Sequence, residues 1–188
     1  MRVARGDAIE TAILDAATEE LARHGPEGFS VVRVAAAAEV NKTSIYRRWP
    51  DKDALMAAAI ARTLTSTKER IIDTGSLVGD LSALAQIIGG RLGRPQGKAP
   101  ALVSLSEAAA DLVSDVASHP MAEADKVASD VIQRARQRDE WDTEAHPLDT
   151  VLMMLAGAVF HRILIRRRPV SRGWAHSIAT IIGRGVSP

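Results

Sequence analysis

The chain has 188 residues, 46% hydrophobic and 25% charged, so it is long enough to bury a core as one domain or as one domain with a small module. It contains no cysteine, which excludes disulfides and thiolate metal sites and makes a reducing cytosol the expected setting. The formal net charge of +1 excludes a general polycation.

No segment predicts a membrane span or a secretion signal. The most apolar run, residues 151–160, has about half the length of a transmembrane helix. The first residues contain no apolar stretch of the kind found in a signal peptide. Aromatic residues make up 3% of the chain and no Val, Ile or Thr run alternates with polar residues, so strands are not expected. The sequence therefore predicts a cytoplasmic, all-α protein.

The N-terminal part predicts three short helices. Asp7 is placed to cap the first, and residues 24–26, with glycine and proline, end it. Ser30 is a good N-cap for the second helix. Residues 39–41 form a tight turn, and a third helix runs from about 42 to 48. This is the layout of a helix-turn-helix.

Later helices are separated by proline and glycine. Pro50 and Asp51 restart the chain into a fourth helix that runs from Lys52 to about Ile72. A break is expected from Gly93 through Pro100. Further helices are predicted over 77–93, 101–118, 120–138, 147–167 and 171–184.

The helix-turn-helix carries a local positive charge. Residues 30–52 contain five bases against two acids, whereas residues 107–149 are acidic. A basic patch on a nearly neutral chain indicates a focused contact with phosphate groups.

The third helix supplies the side chains that such a contact needs. Thr43 and Ser44 stand at its start, where free backbone N–H groups and hydroxyls bind phosphate oxygens. Tyr46 is placed to reach the sugar-phosphate backbone, and Lys42 and Arg47 to reach base edges or phosphates. Ile45 and Trp49, four residues apart, are expected to face the core. The predicted DNA-binding residues are Ser30, Arg33, Lys42, Thr43, Ser44, Tyr46, Arg47 and Lys52.

The run from Ile9 to Leu55 resembles the DNA-binding domain of the TetR family of transcriptional regulators. The resemblance is carried by Gly28-Phe29-Ser30, by Val34-Ala35 and by residues 40–55, with the spacing Ile-Tyr-x-x-aromatic-x-x-Lys-x-x-Leu from Ile45. One position departs from the family, because Glu39 stands where glycine is usual. Glu39 must then adopt a left-handed conformation at a cost of about 1 kcal/mol.

The resemblance implies a fold and a function. Residues 1–55 would form the helix-turn-helix DNA-binding domain, and residues 56–188 a helical ligand-binding and dimerisation domain. The protein would be a homodimeric, ligand-responsive repressor of transcription that binds a palindromic double-stranded DNA operator. Its effector would be an unidentified small molecule, with no cofactor. Tyr46 and Lys52 would contact the DNA backbone.

The last two helices are expected to pair with a second copy. Helix 147–167 is apolar nearly all round, and the last helix carries a second apolar stripe. An ordinary core helix has the same pattern, so a monomeric core remains the alternative. The predicted interface residues are Val151, Leu155, Val159, Trp174, Ile178 and Ile182.

A ligand pocket is predicted in the second part. Its expected lining residues are Leu105, Trp141, Met153 and Met154, although methionines at helical spacing usually fill a core.

An acidic series could suggest a different kind of site. Glu107, Asp111, Asp115 and His119 recur every four residues and share one helical face, which could hold a divalent cation. A solvated acidic helix face is the favoured interpretation, so no metal site is assigned. The sequence also shows no group of residues with the spacing of a catalytic site. The alternative function is a helical enzyme or a ligand- or metal-binding protein that does not bind DNA.

Overall fold

The computed structural model describes residues 2–64, 72–106, 126–141 and 148–186. Every regular element in those ranges is helical, which confirms the all-α prediction. None of these helices combines the length and apolarity that crossing a bilayer requires. The elements are α1 Arg2–His24, α2 Val31–Ala37, α3 Lys42–Tyr46, α4 Lys52–Leu64, α5 Leu77–Leu92, α6 Pro95–Ser104, α7 (described over 126–137), α8 Leu148–Phe160 and α9 Arg172–Val186, with a π-helical turn His161–Ile165 after α8.

The chain forms two compact units. The first contains residues 2–64 and 94–106, and the second contains residues 72–93, 126–141 and 148–186 among those described. These units differ from the predicted domains 1–55 and 56–188, because both α4 and α6 pack against α1.

Helix α1 is the centre of the first unit. It begins at Arg2, earlier than the predicted cap at Asp7. Ile13, Ala17 and Leu21 recur at four-residue spacing and are fully buried. Burial of each large apolar side chain contributes roughly 1.5–3 kcal/mol. The same core includes Phe29, Val34, Ile45, Trp49, Leu55, Ile60, Ala99 and Val103.

Helix α6 corrects a sequence prediction. The expected break through Pro100 is helical, and Leu105 and Ser106 follow the helix as a turn and a coil residue. Pro95 lies in the first turn, where a missing N–H costs nothing. Ala99 and Val103 are buried in the core with α1, so tertiary packing holds the segment helical in spite of Pro100. The rest of predicted helix 101–118 lies outside the described residues.

Helices α5, α8 and α9 pack together in the second unit. Two glycines allow their close approach. A Cβ on Gly89 would lie 2.5 Å from Cγ2 of Val170, and one on Gly183 would lie 2.9 Å from Cγ2 of Val78. Larger residues at either position would push α5 away from the segment that leads into α9 or from α9 itself.

A polar network joins the end of α7 to the start of α5. Asp80 has no exposed surface and accepts hydrogen bonds from N and Oγ1 of Thr74, at 2.6 and 2.7 Å. Arg138 donates from Nη2 to Asp80 at 2.9 Å and from Nε to Glu140 at 2.8 Å. Glu140 also accepts the N–H of Leu77 at 2.8 Å. The hydrogen bonds to Glu140 and then Asp80 raise the pKa of Arg138 above its ordinary value.

Most predicted helix ends lie close to those in the structure. Helices α5 and α9 match predicted helices 77–93 and 171–184 within two residues. Helix α8 and its π-helical turn match 147–167 closely, but the π-helical hydrogen bonding was not predicted. Helix α4 was predicted to reach Ile72, but Ile72 is not helical.

Candidate nucleic-acid interface

Helices α1 to α4, residues 2–64, form the N-terminal head. Each of α2, α3 and α4 starts at its own side-chain cap. Ser30 accepts the N–H of Arg33, Asn41 accepts the N–H of Thr43 at 3.1 Å, and Asp51 accepts the N–H of Ala54 at 2.7 Å. Short polar side chains are favoured at these positions because they satisfy N–H groups that have no partner in the helix. The cap at Ser30 was predicted, whereas Asn41 was assigned only to the turn.

The turn between α2 and α3 is a Schellman motif around Glu39. The N–H of Val40 donates to the carbonyl of Ala35 at 3.0 Å, and the N–H of Glu39 donates to Ala36 at 3.2 Å. Glu39 has φ of 54°, which confirms the predicted left-handed conformation. Val40 packs against the core and fixes the far side of the turn.

Helix α3 turns one face to the core and one to solvent. Ile45 and Trp49 are buried, as predicted, and they anchor the helix. Tyr46 lies between them in sequence and is 48% exposed. The exposed face of α3 and its end consists of Lys42, Thr43, Tyr46 and Arg47. The structure therefore brings four of the predicted contact residues to one outward surface.

Three other predicted contacts are partly covered. Ser30, Ser44 and Lys52 are half-buried. Ser44 is covered in part by Arg48, whose Nη1 donates to the Ser44 carbonyl at 3.2 Å. Lys52 is the first residue of α4.

The backbone N–H groups of Thr43 and Ser44 are not free, which corrects the prediction. Thr43 donates from N and Oγ1 to Oδ1 of Asn41, at 3.1 and 3.2 Å. Ser44 donates from N to the Asn41 carbonyl at 2.9 Å. Asn41 therefore occupies both backbone N–H groups and the hydroxyl hydrogen of Thr43 as well, so the donors predicted to be free at the start of α3 are engaged within the turn.

The guanidinium of Arg33 is tied to the buried Glu20, although the Arg33 side chain is 51% exposed. Its Nε donates to Oε1 of Glu20 at 2.8 Å, and its Nη2 donates to Glu20 and to the Gly28 carbonyl. Glu20 is buried and also accepts the N–H of Ser30 at 3.1 Å. The hydrogen bond to Glu20 raises the pKa of Arg33 above its ordinary value. Sequence reasoning missed this pair, since Glu20 and Arg33 lie on different helices with no shared periodicity.

Most of the predicted dimer-interface residues are core residues. Val151, Leu155, Val159 and Ile182 are buried within the single chain. Their side chains contact the chain's own helices and cannot meet a partner directly. Trp174 and Ile178 are half-buried and remain accessible in part.

The predicted ligand pocket is also corrected. The side chains of Leu105, Met153 and Met154 are 66, 70 and 55% exposed, so they line no enclosed pocket in the described part of the chain. Trp141 is buried and behaves as a core residue. The sequence pattern identified apolar helices correctly but could not say which side of each was covered.

No metal centre is found among the described residues. They contain no group of three or more His, Cys, Asp or Glu side chains that could hold an ion. The acidic series from Glu107 to His119 lies outside those residues.

Matches to known proteins cover both parts of the chain. Residues 13–59 match the family described as "Bacterial regulatory proteins, tetR family", and residues 71–182 match "Tetracyclin repressor-like, C-terminal domain". Over 162 residues the chain is 31% identical to an uncharacterized HTH-type transcriptional regulator of Mycobacterium tuberculosis, which covers 85% of this chain and 78% of the relative. Over 81 residues it is 43% identical to the DNA-binding transcriptional repressor TetR of Mycobacteroides abscessus, a match that spans 43% of either chain.

Solved structures show the same fold. The transcriptional regulator FadR from Bacillus subtilis, in complex with stearoyl-CoA, has a TM-score of 0.71 at 15% identity, over 94% of this chain and 99% of that one. A TetR family transcription regulator from Marinobacter aquaeolei has a TM-score of 0.69 at 18% identity, over 99% and 98%. The match over residues 71–182 alone covers more than half of the chain, so the predicted resemblance is confirmed. The chain belongs to the TetR family of transcriptional regulators.

Proposed function

We propose that this regulator represses transcription by binding a palindromic DNA operator as a homodimer, under the control of a small effector molecule. The observation that carries the proposal is the outward face formed by Lys42, Thr43, Tyr46 and Arg47. A helix fixed from behind by Ile45 and Trp49 can enter a major groove with those side chains toward the DNA.

The predicted contact residues divide by the chemistry of their contacts. Arg47 and Lys42 are suited to base edges, because a guanidinium or ammonium group donates to O6 and N7 of guanine. Tyr46, Lys52 and Ser30 are suited to phosphate oxygens, which position the helix without reading sequence. The Ser30 oxygen accepts the Arg33 N–H, so its hydroxyl hydrogen remains available for a phosphate.

The homodimer is supported by apolar side chains on the outer faces of α8 and α9. Met153 on α8 is 70% exposed and Ile181 on α9 is 67% exposed, and Met154 on α8 is also exposed. Exposed apolar surface on neighbouring helices is typical of an interface. A second copy is the natural partner because a two-fold axis pairs such a surface with itself. It would also present two reading helices about 34 Å apart, one helical turn of DNA.

Repression and effector control are supported by the relatives. The Mycobacteroides abscessus protein is named a repressor, and the FadR structure contains stearoyl-CoA. An effector would release this chain from DNA only if it bound the DNA-incompetent conformation more tightly, with a typical coupling of about 1–3 kcal/mol.

Selection of DNA by the purified protein tests the proposal. The wild-type chain should enrich inverted repeats from a random duplex pool, with half-site centres about 10 base pairs or a multiple apart. The Arg47→Ala protein, carried through the same rounds, should lose the enrichment. Enrichment of no sequence, or the same enrichment with Arg47→Ala, would contradict the assigned reading face.

A further inference from the structure

A basic cleft lies where α8 ends and α9 begins. It has a volume of about 290 Å³, enough for a small polyanion. Its lining residues are Ala158, His161, Arg162, Arg166, Arg168 and Trp174. The operator surface described above does not include any of them, so the cleft requires its own explanation.

Arg162 is held in place before any ligand arrives. Its Nε donates to the Pro169 carbonyl at 2.8 Å, and its guanidinium lies 4.7 Å from the centroid of the Trp174 ring. The segment that carries Pro169 is fixed in turn, because Val170 packs on the bare backbone of Gly89. A guanidinium ordered in this way loses little side-chain entropy on binding an anion.

The backbone folds back so that two more arginines reach the cleft. The N–H of Arg166 donates to the His161 carbonyl at 2.9 Å, and that of Arg168 donates to the Arg162 carbonyl at 3.0 Å. Arg167 between them has φ of 50°, a left-handed conformation that few non-glycine residues adopt. The sharp reversal places Arg166 and Arg168 beside Arg162 instead of carrying them away along a helix.

The positive charge of the cleft is not neutralised within the described residues. None of its lining residues is acidic, and no described carboxylate forms an ion pair with Arg162, Arg166 or Arg168. Three like charges at close quarters repel one another, and a bound anion relieves that repulsion. Guanidinium groups match phosphate oxygens with paired hydrogen bonds.

We propose that the basic cleft binds a small ligand through a diphosphate group. Three guanidinium groups are enough to meet the oxygens of two linked phosphates. This site is separate from the DNA-reading face and does not depend on the proposed operator binding.

Calorimetric titration of the full-length protein with inorganic pyrophosphate tests the proposal. At constant ionic strength the wild type should show saturable binding of one pyrophosphate per chain. Arg166→Ala and Arg168→Ala should each weaken binding roughly tenfold, the loss of one charge-assisted contact. Both side chains are exposed, so both variants should keep the wild-type melting temperature.

Arg184→Ala is the matched control, because Arg184 is an exposed arginine of α9 that does not line the cleft. It removes the same formal charge and should leave the affinity unchanged. Equal weakening by Arg184→Ala would show unspecific attraction and overturn the proposal. Absence of saturable binding to the wild type would also overturn it.

Discussion

Nε of Arg33 donates to Oε1 of Glu20 at 2.8 Å, which ties the first turn of α2 to α1 across thirteen residues of sequence. The same carboxylate oxygen accepts the N–H of Ser30, so one buried acid holds both the cap and the first turn of α2. Arg33, although exposed to solvent, therefore helps to fix the position of α2 against α1.

Replacing Arg33 by alanine should weaken DNA binding without changing its salt dependence. The variant loses the contact that orients α2 but keeps every phosphate contact. Its binding to DNA should therefore release the same number of counterions as that of the wild type. The measurement is fluorescence anisotropy with a selected operator at several salt concentrations, with the slope of log K against log salt compared between proteins.

Lys52→Ala is the control for that experiment, since Lys52 is proposed to contact phosphate. Its slope should fall by about 1. If Arg33→Ala lowered the slope by a similar amount, Arg33 would be a phosphate contact in the complex and the positioning role would be wrong.

Replacing Glu39 by glycine should stabilise the head. Glu39 has φ of 54°, which costs a non-glycine residue about 1 kcal/mol, and the entropy that glycine loses on folding offsets part of the gain. The free energy of unfolding should rise by about 0.5 kcal/mol in urea titrations. Glu39→Ala removes the carboxylate but keeps the strain, so it should not stabilise. Equal stabilisation by both variants would point to charge instead of backbone conformation.

Replacing Arg138 by glutamine should destabilise the second unit strongly. The change leaves Asp80 as a buried carboxylate without its ionic partner, which typically costs about 3–5 kcal/mol. Chemical unfolding measures the loss. A double-mutant cycle with Asp80→Asn should show that the second change costs much less once Arg138 is gone. Additive losses would mean that the two side chains act independently.

The contribution of Arg138 should not vary near neutral pH. The hydrogen bonds to Glu140 and Asp80 raise the pKa of Arg138 above its ordinary, already strongly basic value, so its stabilisation is complete below that ordinary value and is lost only as pH rises through the folded pKa. The difference in unfolding free energy between wild type and Arg138→Gln should be constant from about pH 7 to 9. A steady decline over that interval would contradict the assignment.

Replacing Ile181 by glutamate should dissociate the proposed dimer. A carboxylate enclosed at an apolar interface without a partner should raise the dimer dissociation constant roughly tenfold or more. Sedimentation equilibrium gives that constant directly. Leu105→Glu is the control variant, because Leu105 is 66% exposed and Ile181 is 67% exposed, but Leu105 lies in the first unit. It should leave the dimer intact, and equal dissociation by both variants would contradict the assigned face.

Local signals in the sequence predicted several features of the N-terminal head. The cap at Ser30 and the buried pair Ile45 and Trp49 each depend on residues within a few positions of one another. The strained Glu39 was predicted from the resemblance to the TetR family, in which glycine is usual at that position. Interactions over three or four residues are the ones that periodicity and capping patterns describe.

Features that depend on tertiary packing could not be predicted in the same way. Pro100 indicates a break, but burial of Ala99 and Val103 keeps its segment helical. Helix α8 is apolar on both sides, so the pattern could not show that Leu155 faces the core while Met153 faces solvent. The Glu20–Arg33 and Asp80–Arg138 pairs join residues whose proximity exists only in the folded chain.

The exposed face of α3 is proposed to read DNA, and residues outside the N-terminal head are not. Anisotropy titration of one selected operator with wild type, Arg47→Ala and the exposed α7 variant Arg136→Ala tests it most directly. Arg47→Ala should lose about 1–3 kcal/mol of binding free energy, whereas Arg136→Ala should bind like wild type. Equal binding by all three proteins would contradict it.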